Sequence, residues 1–290
     1  MIKRSLLVCG VALLAWHFAA PRLTKKFYTI PGQQRANYLH AQNYVQDAKE
    51  ETHVIVGSSM SERMDERILG SGHVKLTFPG GGPLSGLEIV NRSGKRPPVV
   101  WIETNVLLRA PEHDLIKDAL TPWRVELRKI SPIFKEAYRP SEYGIGFLKA
   151  VVDKGSKTLA RKPAATDAPA AGLDDAVFEG MMKANREALS KVPTPELLKE
   201  RVDALAKHVE ELSKGGTQCV FFEMPIEPSL QNLAEPAAVR NALKERFPES
   251  EFRWMSLDRG TPWQTTDGIH LTPPEAEQVI QRIKEFEKSL

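Results

Sequence analysis

From residue 54 onward the chain alternates short apolar runs with stretches whose hydrophobic residues recur every three to four positions. Strands exchanging with helices produce that pattern. Apolar runs at 54–57, 74–78, 99–104, 218–223 and 252–257 predict five strands. Runs as continuous as Val99-Val100-Trp101-Ile102 are what a sheet covered on both faces requires. Helices are expected at 34–50, 61–69, 84–91, 235–246 and 274–288. The clearest covers 195–214, where Leu198, Val202, Leu205, Val209 and Leu212 fall on one stripe and Gly215-Gly216 follows. Alternating βα units imply an α/β fold, three layers deep (α/β/α), with a five-stranded parallel sheet and right-handed crossovers.

The alternation stops at about 107–193, which reads as a helical insertion after strand three. Helical patterns cover 107–120 and 123–138, and 161–172 is a Pro/Ala-rich linker carrying Pro163 and Pro169. Ahead of the first strand, residues 27–52 form a polar stalk leading into a helix. Residues 1–26 differ from both: Lys3 and Arg4 precede an uncharged, mostly apolar stretch from Ser5 to Ala20. This is a signal anchor or a signal peptide. Pro21, directly after the small pair Ala19-Ala20, is a poor setting for cleavage and favours the anchor. The domain at 53–290 is then extracytoplasmic, with the membrane engaged through the N-terminal segment.

Composition narrows the remaining choices. A net charge of +3 with 7% aromatic residues, and no basic stripe interleaved with aromatics, argues against a nucleic-acid partner. Cys9 and Cys219 have no plausible pairing with each other, since Cys9 lies in the apolar leader; Cys219, beside Val220 and Phe221, reads as a small buried hydrophobe. The histidines are scattered and show no metal-ligand spacing. His40, His53, His73, His113 and His208 have no partners at suggestive spacing and read as surface or strand-edge residues, and Trp101 as core.

Chemistry is concentrated where the strands end. In a parallel sheet the carboxyl ends of all strands share one edge, and ligands bind there. Ser59 follows strand one in Gly57-Ser58-Ser59. Asp267 and His270 follow strand five in Asp267-Gly268-Ile269-His270. A serine becomes a nucleophile beside a base, and the base needs an orienting carboxylate. Residues from opposite ends of the chain can supply all three at that edge. Taken singly, each group also has a plain structural reading, as a loop serine or a turn-starting aspartate.

These residues resemble the four motif blocks of the SGNH, or GDSL, hydrolase superfamily, across 54–290 with the insertion excepted. Gly57-Ser58-Ser59-Met60 occupies the place of the Gly-Asp-Ser block, and Phe78-Pro79-Gly80-Gly81 that of the glycine block. Glu103-Thr104-Asn105-Val106 retains the asparagine of the third block, and Asp267-Gly268-Ile269-His270 matches the fourth. The resemblance implies a flavodoxin-like sheet and a serine acyl-enzyme, with Ser59 as nucleophile, His270 as base and Asp267 as its orienting partner. It also implies an oxyanion hole from the Ser59 and Gly80 N–H groups and the Asn105 amide, with Gly81 a rival to Gly80. No metal, nucleotide or other cofactor is implied. Ser58 and Val106 stand where the family has aspartates, and Ser58 is a minor rival to Ser59.

Gly-Ser-Ser variants look similar to membrane-anchored members that work on cell-envelope polymers, in alginate O-acetylation and teichoic-acid D-alanylation. The expectation is an esterase or O-acyltransferase acting on acyl, chiefly acetyl, esters of an envelope carbohydrate, with a possible envelope-protein partner. Two alternatives stay open. One is a non-catalytic scaffold or carbohydrate-binding component; the other is a lipid-directed esterase or thioesterase.

Overall fold

The computed structural model describes residues 2–23, 32–139, 175–257 and 262–290. Its strands are β1 His53–Gly57, β2 His73–Thr77, β3 Val99–Glu103, β4 Gln218–Phe222 and β5 Arg253–Met255. They form one all-parallel sheet in the order β2-β1-β3-β4-β5. The chain places β2 on one side of β1 and then builds β3, β4 and β5 outward on the other. The strand order therefore reverses at the boundary between β1 and β3, and a crevice opens at their carboxyl ends.

Successive strand side chains point to opposite faces, and the core divides accordingly. Val54, Val56, Val100, Ile102 and Phe221 belong to one buried cluster. Ile55, Val99, Trp101, Val220 and Phe222 belong to the other. Over the first face lie α2 (Gln33–Asp47), α5 (Pro83–Arg92), α6 (His113–Leu120), α9 (Pro195–Lys214) and α10 (Ala234–Arg246). Over the second lie the short helices α3 (Ser59–Glu62) and α4 (Glu66–Leu69) and the last helix α11 (Pro273–Glu287). Three layers result. Cys219 is buried in the first cluster, and burial pushes its thiol up to about 12.

Departures from the expected elements have local causes. The helix expected at 61–69 is broken in two, because the Asp65 carboxylate accepts the Arg67 N–H (2.8 Å) and starts α4 afresh. The helix expected at 107–120 begins only at His113, two residues beyond Pro111. That expected at 123–138 becomes α7 (Pro122–Ile130) and two 3₁₀ turns, Pro132–Phe134 and Glu136–Tyr138, as Pro132 lacks an N–H to continue α7.

The linker at 161–172 lies outside the described residues. Immediately beyond it stands a helix the pattern did not announce, α8 (Asp175–Leu189), none of whose side chains is fully buried. At the N-terminus, α1 (Ile2–Leu23) has one stretch, Arg4–Leu23, long and apolar enough to cross a membrane.

Candidate active site

Ser59 is the first residue of α3, directly beyond the turn that leaves β1. Its neighbour Ser58 is the N-cap: the Ser58 hydroxyl accepts the Met60 N–H (3.2 Å). Below the turn lies the Glu103 carboxylate, fully buried at the end of β3. It accepts four hydrogen bonds: from Ser58 N–H (2.9 Å) and Oγ–H (2.6 Å), and from Ser61 N–H (3.1 Å) and Oγ–H (2.5 Å). Gly57 permits this approach. A Cβ there would stand 2.2 Å from Ser61 Oγ and 2.5 Å from Glu103 Oε2. Sequence reasoning gave Glu103 no role. Its signal is a charged residue closing a strand otherwise buried and apolar, where a carboxylate must be surrounded by donors.

The loop after β5 supplies the other two groups. Asp267 Oδ1 accepts the N–H of Ile269 (3.0 Å) and of His270 (2.8 Å), folding the loop around its own carboxylate. Asp267 Oδ2 lies 2.6 Å from His270 Nδ1, and His270 Nε2 lies 2.8 Å from Ser59 Oγ. Burial tends to raise the Asp267 pKa, but the His270 hydrogen bond, the His270 charge and the two backbone N–H groups together hold it below the ordinary carboxylate value. An ionised Asp267 fixes the proton of neutral His270 on Nδ1 and leaves Nε2 to accept from the Ser59 hydroxyl. The sequence-predicted Ser59, His270 and Asp267 therefore meet in one chain of hydrogen bonds. His270 and Asp267 side chains are 16% and 21% exposed, enough to be approached from solution.

Neighbouring elements hold that loop in place. Gly268 takes φ +96°, and a Cβ on it would come within 2.3 Å of Met182 Sδ. The Gly268 carbonyl accepts the Glu227 N–H (2.8 Å), and Thr265 pairs with Leu271 across a short antiparallel bridge. From α8, Asn185 Nδ2 donates to the Asp267 carbonyl (2.8 Å). The helix that sequence reasoning missed thus packs directly on the acid–base loop.

Gly80 and Asn105 stand after β2 and β3. The Gly80 backbone is left-handed (φ +83°), and a Cβ there would meet Gln33 Nε2 at 2.2 Å. Gln33 Nε2 and Asn37 Nδ2 both donate to the Pro79 carbonyl (2.7 and 3.1 Å), which sets the loop. Gly81 donates its N–H to Phe78 O (2.8 Å), whereas that of Gly80 has no acceptor among the described residues. Of the two rivals, Gly80 is the one with a donor to offer. Ser59 N–H, the first of α3, likewise has no acceptor within its helix. Asn105 is engaged in the fold: its Oδ1 accepts the Met224 N–H (2.7 Å) and its Nδ2 donates to Met224 O (2.9 Å). One amide N–H remains for another acceptor.

Beside the serine opens a cleft of ≈ 360 Å³. Met60 and Ile269, sequence neighbours of Ser59 and His270, line it together with Val106 and Leu189. Its polar wall includes Arg240, tied in two-pronged fashion to Glu223 (2.8 and 2.6 Å).

At the opposite end of the sheet, two of the histidines find a partner that no spacing in the sequence indicates. His53 Nδ1 and His73 Nε2 converge on Glu287 Oε1 (2.6 and 2.8 Å), and Trp101 Nε1 reaches the same oxygen at 3.3 Å. His53, His73 and Glu287 could hold a metal ion, since their ligand atoms lie within 4.8 Å of one another. Here they fasten the last helix to the starts of β1 and β2.

No protein-family model matches the chain, and no curated protein matches it either.

Proposed function

We propose that the protein is a membrane-anchored serine esterase or O-acyltransferase of the SGNH type, acting on acyl esters of a cell-envelope carbohydrate. One observation carries the reading: Ser59, His270 and Asp267, drawn from opposite ends of the chain, are joined by hydrogen bonds of 2.8 and 2.6 Å at the carboxyl edge of a parallel sheet. The block resemblance supplies the family, and the leader supplies the envelope.

The chemistry follows from those atoms. Ser59 Oγ attacks the ester carbonyl as His270 Nε2 takes its proton. Asp267 stabilises the resulting imidazolium through Nδ1–H. The carbonyl oxygen gains negative charge and meets the N–H groups of Ser59 and Gly80 and the remaining N–H of Asn105. Each such donor is worth roughly 3 to 4 kcal/mol in the transition state. Collapse expels the alkoxide, which takes the proton from His270, and leaves acyl-Ser59. Water or a carbohydrate hydroxyl then repeats the sequence in reverse, giving hydrolysis or transfer. The cleft lined by Met60 and Ile269 is the place for the acyl group or the sugar that carries it.

The anchor reading has its own support. Trp16 and His17 are hydrogen-bonded to the globular domain and Ala20 is fully buried, so α1 is built into the fold up to the candidate cleavage site. The domain then lies on the extracytoplasmic side, the periplasm where the cell has one.

The test is labelling of the full-length protein with an active-serine fluorophosphonate and mapping of the adduct by mass spectrometry. Modification of Ser59 in wild type and its loss in a folded His270→Ala variant is the expected result. A folded Ser59→Ala variant that hydrolyses acetyl esters as well as wild type would sink the reading.

A further inference from the structure

Helix α1 does not stand apart from the domain. Its C-terminal part lies against the two 3₁₀ turns that follow α7. Trp16 Nε1 donates to Tyr138 O (2.9 Å), His17 Nδ1 lies 2.6 Å from Ser131 Oγ, and Ala20 is fully enclosed. Before Trp16 the helix is bare, with Leu6, Leu7, Val11 and Leu14 each 60% or more exposed.

The 3₁₀ turns that grip α1, and the helix α7 packed on the first of them, carry exposed apolar groups. Ile130 is 73% exposed, Trp123 61% and Phe134 47%. Trp123 and Ile130 stand seven residues apart on α7, two turns along one stripe. Phe134 belongs to the 3₁₀ turn that packs on α1. We propose that this surface rests on the bilayer: α7 and the first 3₁₀ turn lie in the interfacial layer of the membrane that α1 crosses, with Trp123, Ile130 and Phe134 inserted among the lipids. The inference rests on the anchor reading of α1.

Helix geometry places the surface there. The 20 residues Arg4–Leu23 span about 30 Å, the thickness of a hydrocarbon core. Trp16 and His17 lie six to seven residues before Leu23, about 10 Å below that end of the helix. Hydrogen bonds from those two side chains therefore draw Ser131 and Tyr138 down to the level of the headgroups or below it. Phe134, on the first 3₁₀ turn, and Ile130, next to Ser131, are then exposed at lipid depth. Their types suit that position, since Trp is enriched at the interface and isolated apolar side chains between basic ones mark helices that lie in it.

Charge points the same way. Residues 122–139 hold five basic side chains against two acidic ones. Arg128 is turned inward onto Asp118 (2.5 Å), whereas Lys129 and Arg139 are 58% and 60% exposed, each paired with a glutamate of the same segment, Glu126 (2.8 Å) and Glu136 (2.7 Å). The Arg124 guanidinium lies 5.2 Å over the Trp123 ring while also paired with Asp118. An anionic phospholipid surface would attract such a segment.

Site-directed nitroxide labelling of the full chain in vesicles of phosphatidylethanolamine and phosphatidylglycerol tests this. Exposed Cys9 is replaced by Ser, and buried Cys219 with its raised pKa stays unlabelled. Single Ile130→Cys and Phe134→Cys variants are compared with Leu7→Cys on the bare part of α1. Val192→Cys, at a site 78% exposed in the connection between α8 and α9, is the aqueous reference. The expected result is an oxygen-to-nickel-chelate accessibility ratio at 130 and 134 several-fold above that at 192 and close to that at 7. If 7 favours oxygen while 130 and 134 are as open to nickel as 192, or closed to both reagents, the proposal is overturned and the anchor reading stands. If 7 is itself open to nickel, the anchor reading fails and takes the proposal with it.

Discussion

Ser58 donates its hydroxyl to Glu103 at 2.6 Å, one residue before the candidate nucleophile. The same carboxylate takes the Ser58 N–H, the Ser61 N–H and the Ser61 hydroxyl. A carboxylate can accept all four, because it has acceptor sites on both oxygens and no hydrogens of its own. Its charge is thus satisfied while the first turn of α3 is held on the end of β3, and the position of Ser59 depends on it.

Replacing Glu103 by Gln keeps the size and breaks that pattern. With its oxygen at the Oε2 position the amide keeps three of the four bonds, while its NH₂ stands at Oε1 and loses at least the one donated by the Ser58 hydroxyl in a buried site. Removing partners from buried polar groups costs about 1 to 3 kcal/mol each. Glu103→Gln should lower stability by roughly 1 to 3 kcal/mol and slow fluorophosphonate labelling of Ser59 in whatever fraction remains folded. Thermal unfolding and labelling rates on the same sample check it. Unchanged values for both would mean that Glu103 does not set the turn.

Asp267→Asn separates two duties of one side chain. The amide oxygen can still accept the Ile269 and His270 N–H groups, so the loop should keep its shape. What disappears is the anion facing His270 Nδ1. The imidazole then has no reason to keep its proton there, and the imidazolium loses its partner. Ester hydrolysis should fall roughly 10³- to 10⁴-fold, with only a modest fall in melting temperature from losing the stabilisation that the depressed carboxylate supplies. A loss of activity that tracks unfolding would instead assign Asp267 to the loop alone.

The site and sheet were unequally legible in the sequence. Strands buried on both faces must be apolar throughout, so β1, β3 and β4 announce themselves. Once the sheet is parallel, Ser59 and His270 are bound to the same edge. Glu103 gave no comparable signal, because its four donors come from Ser58 and Ser61, more than 40 positions earlier. The pairs His53–Glu287 and His73–Glu287 are more than 200 positions apart and carry no periodicity at all. Helix α8 was missed because it buries only a thin line: Met182 and Leu189 pack on the core, and most of its surface faces solvent. Such a helix looks like an insertion until its contacts with Asp267 and Gly268 are seen.

Glu287 connects acidity to stability. Burial tends to raise its pKa, but hydrogen bonds from His73 and His53 and their charges hold it below the ordinary carboxylate value; Asp267 is depressed as well. A group depressed by folding stabilises the native state above its unfolded pKa. That stabilisation disappears as pH falls through the folded value. The melting temperature should therefore drop between about pH 5 and pH 2. Glu287→Gln should be less stable at neutral pH and show a smaller acid-induced drop, because one proton-linked group is gone. Melting curves of full-length protein across that range decide it, and equal slopes for the two proteins would remove Glu287 from the account.

Asn105 has two tasks, and substitutions can tell them apart. Its side chain ties the end of β3 to Met224, beyond the end of β4, through a pair of hydrogen bonds. Its remaining amide hydrogen is the one the proposed reaction needs. Asn105→Ala removes both functions and leaves the Met224 N–H and C=O without partners, so a loss of about 2 kcal/mol is expected. Asn105→Asp retains an oxygen for the Met224 N–H but offers no donor and adds a negative charge where the oxyanion would develop. Its activity should fall further than that of the Ala variant, beyond the roughly 10²- to 10³-fold typical of one lost donor. Its second oxygen faces the Met224 carbonyl where Nδ2 donated, so its stability should fall about as far as that of the Ala variant. Comparing kcat and melting temperature for the two proteins separates the roles. If Asn105→Asp hydrolysed esters as fast as wild type, Asn105 would be a clamp between strands, and the oxyanion hole would consist of the Ser59 and Gly80 amides.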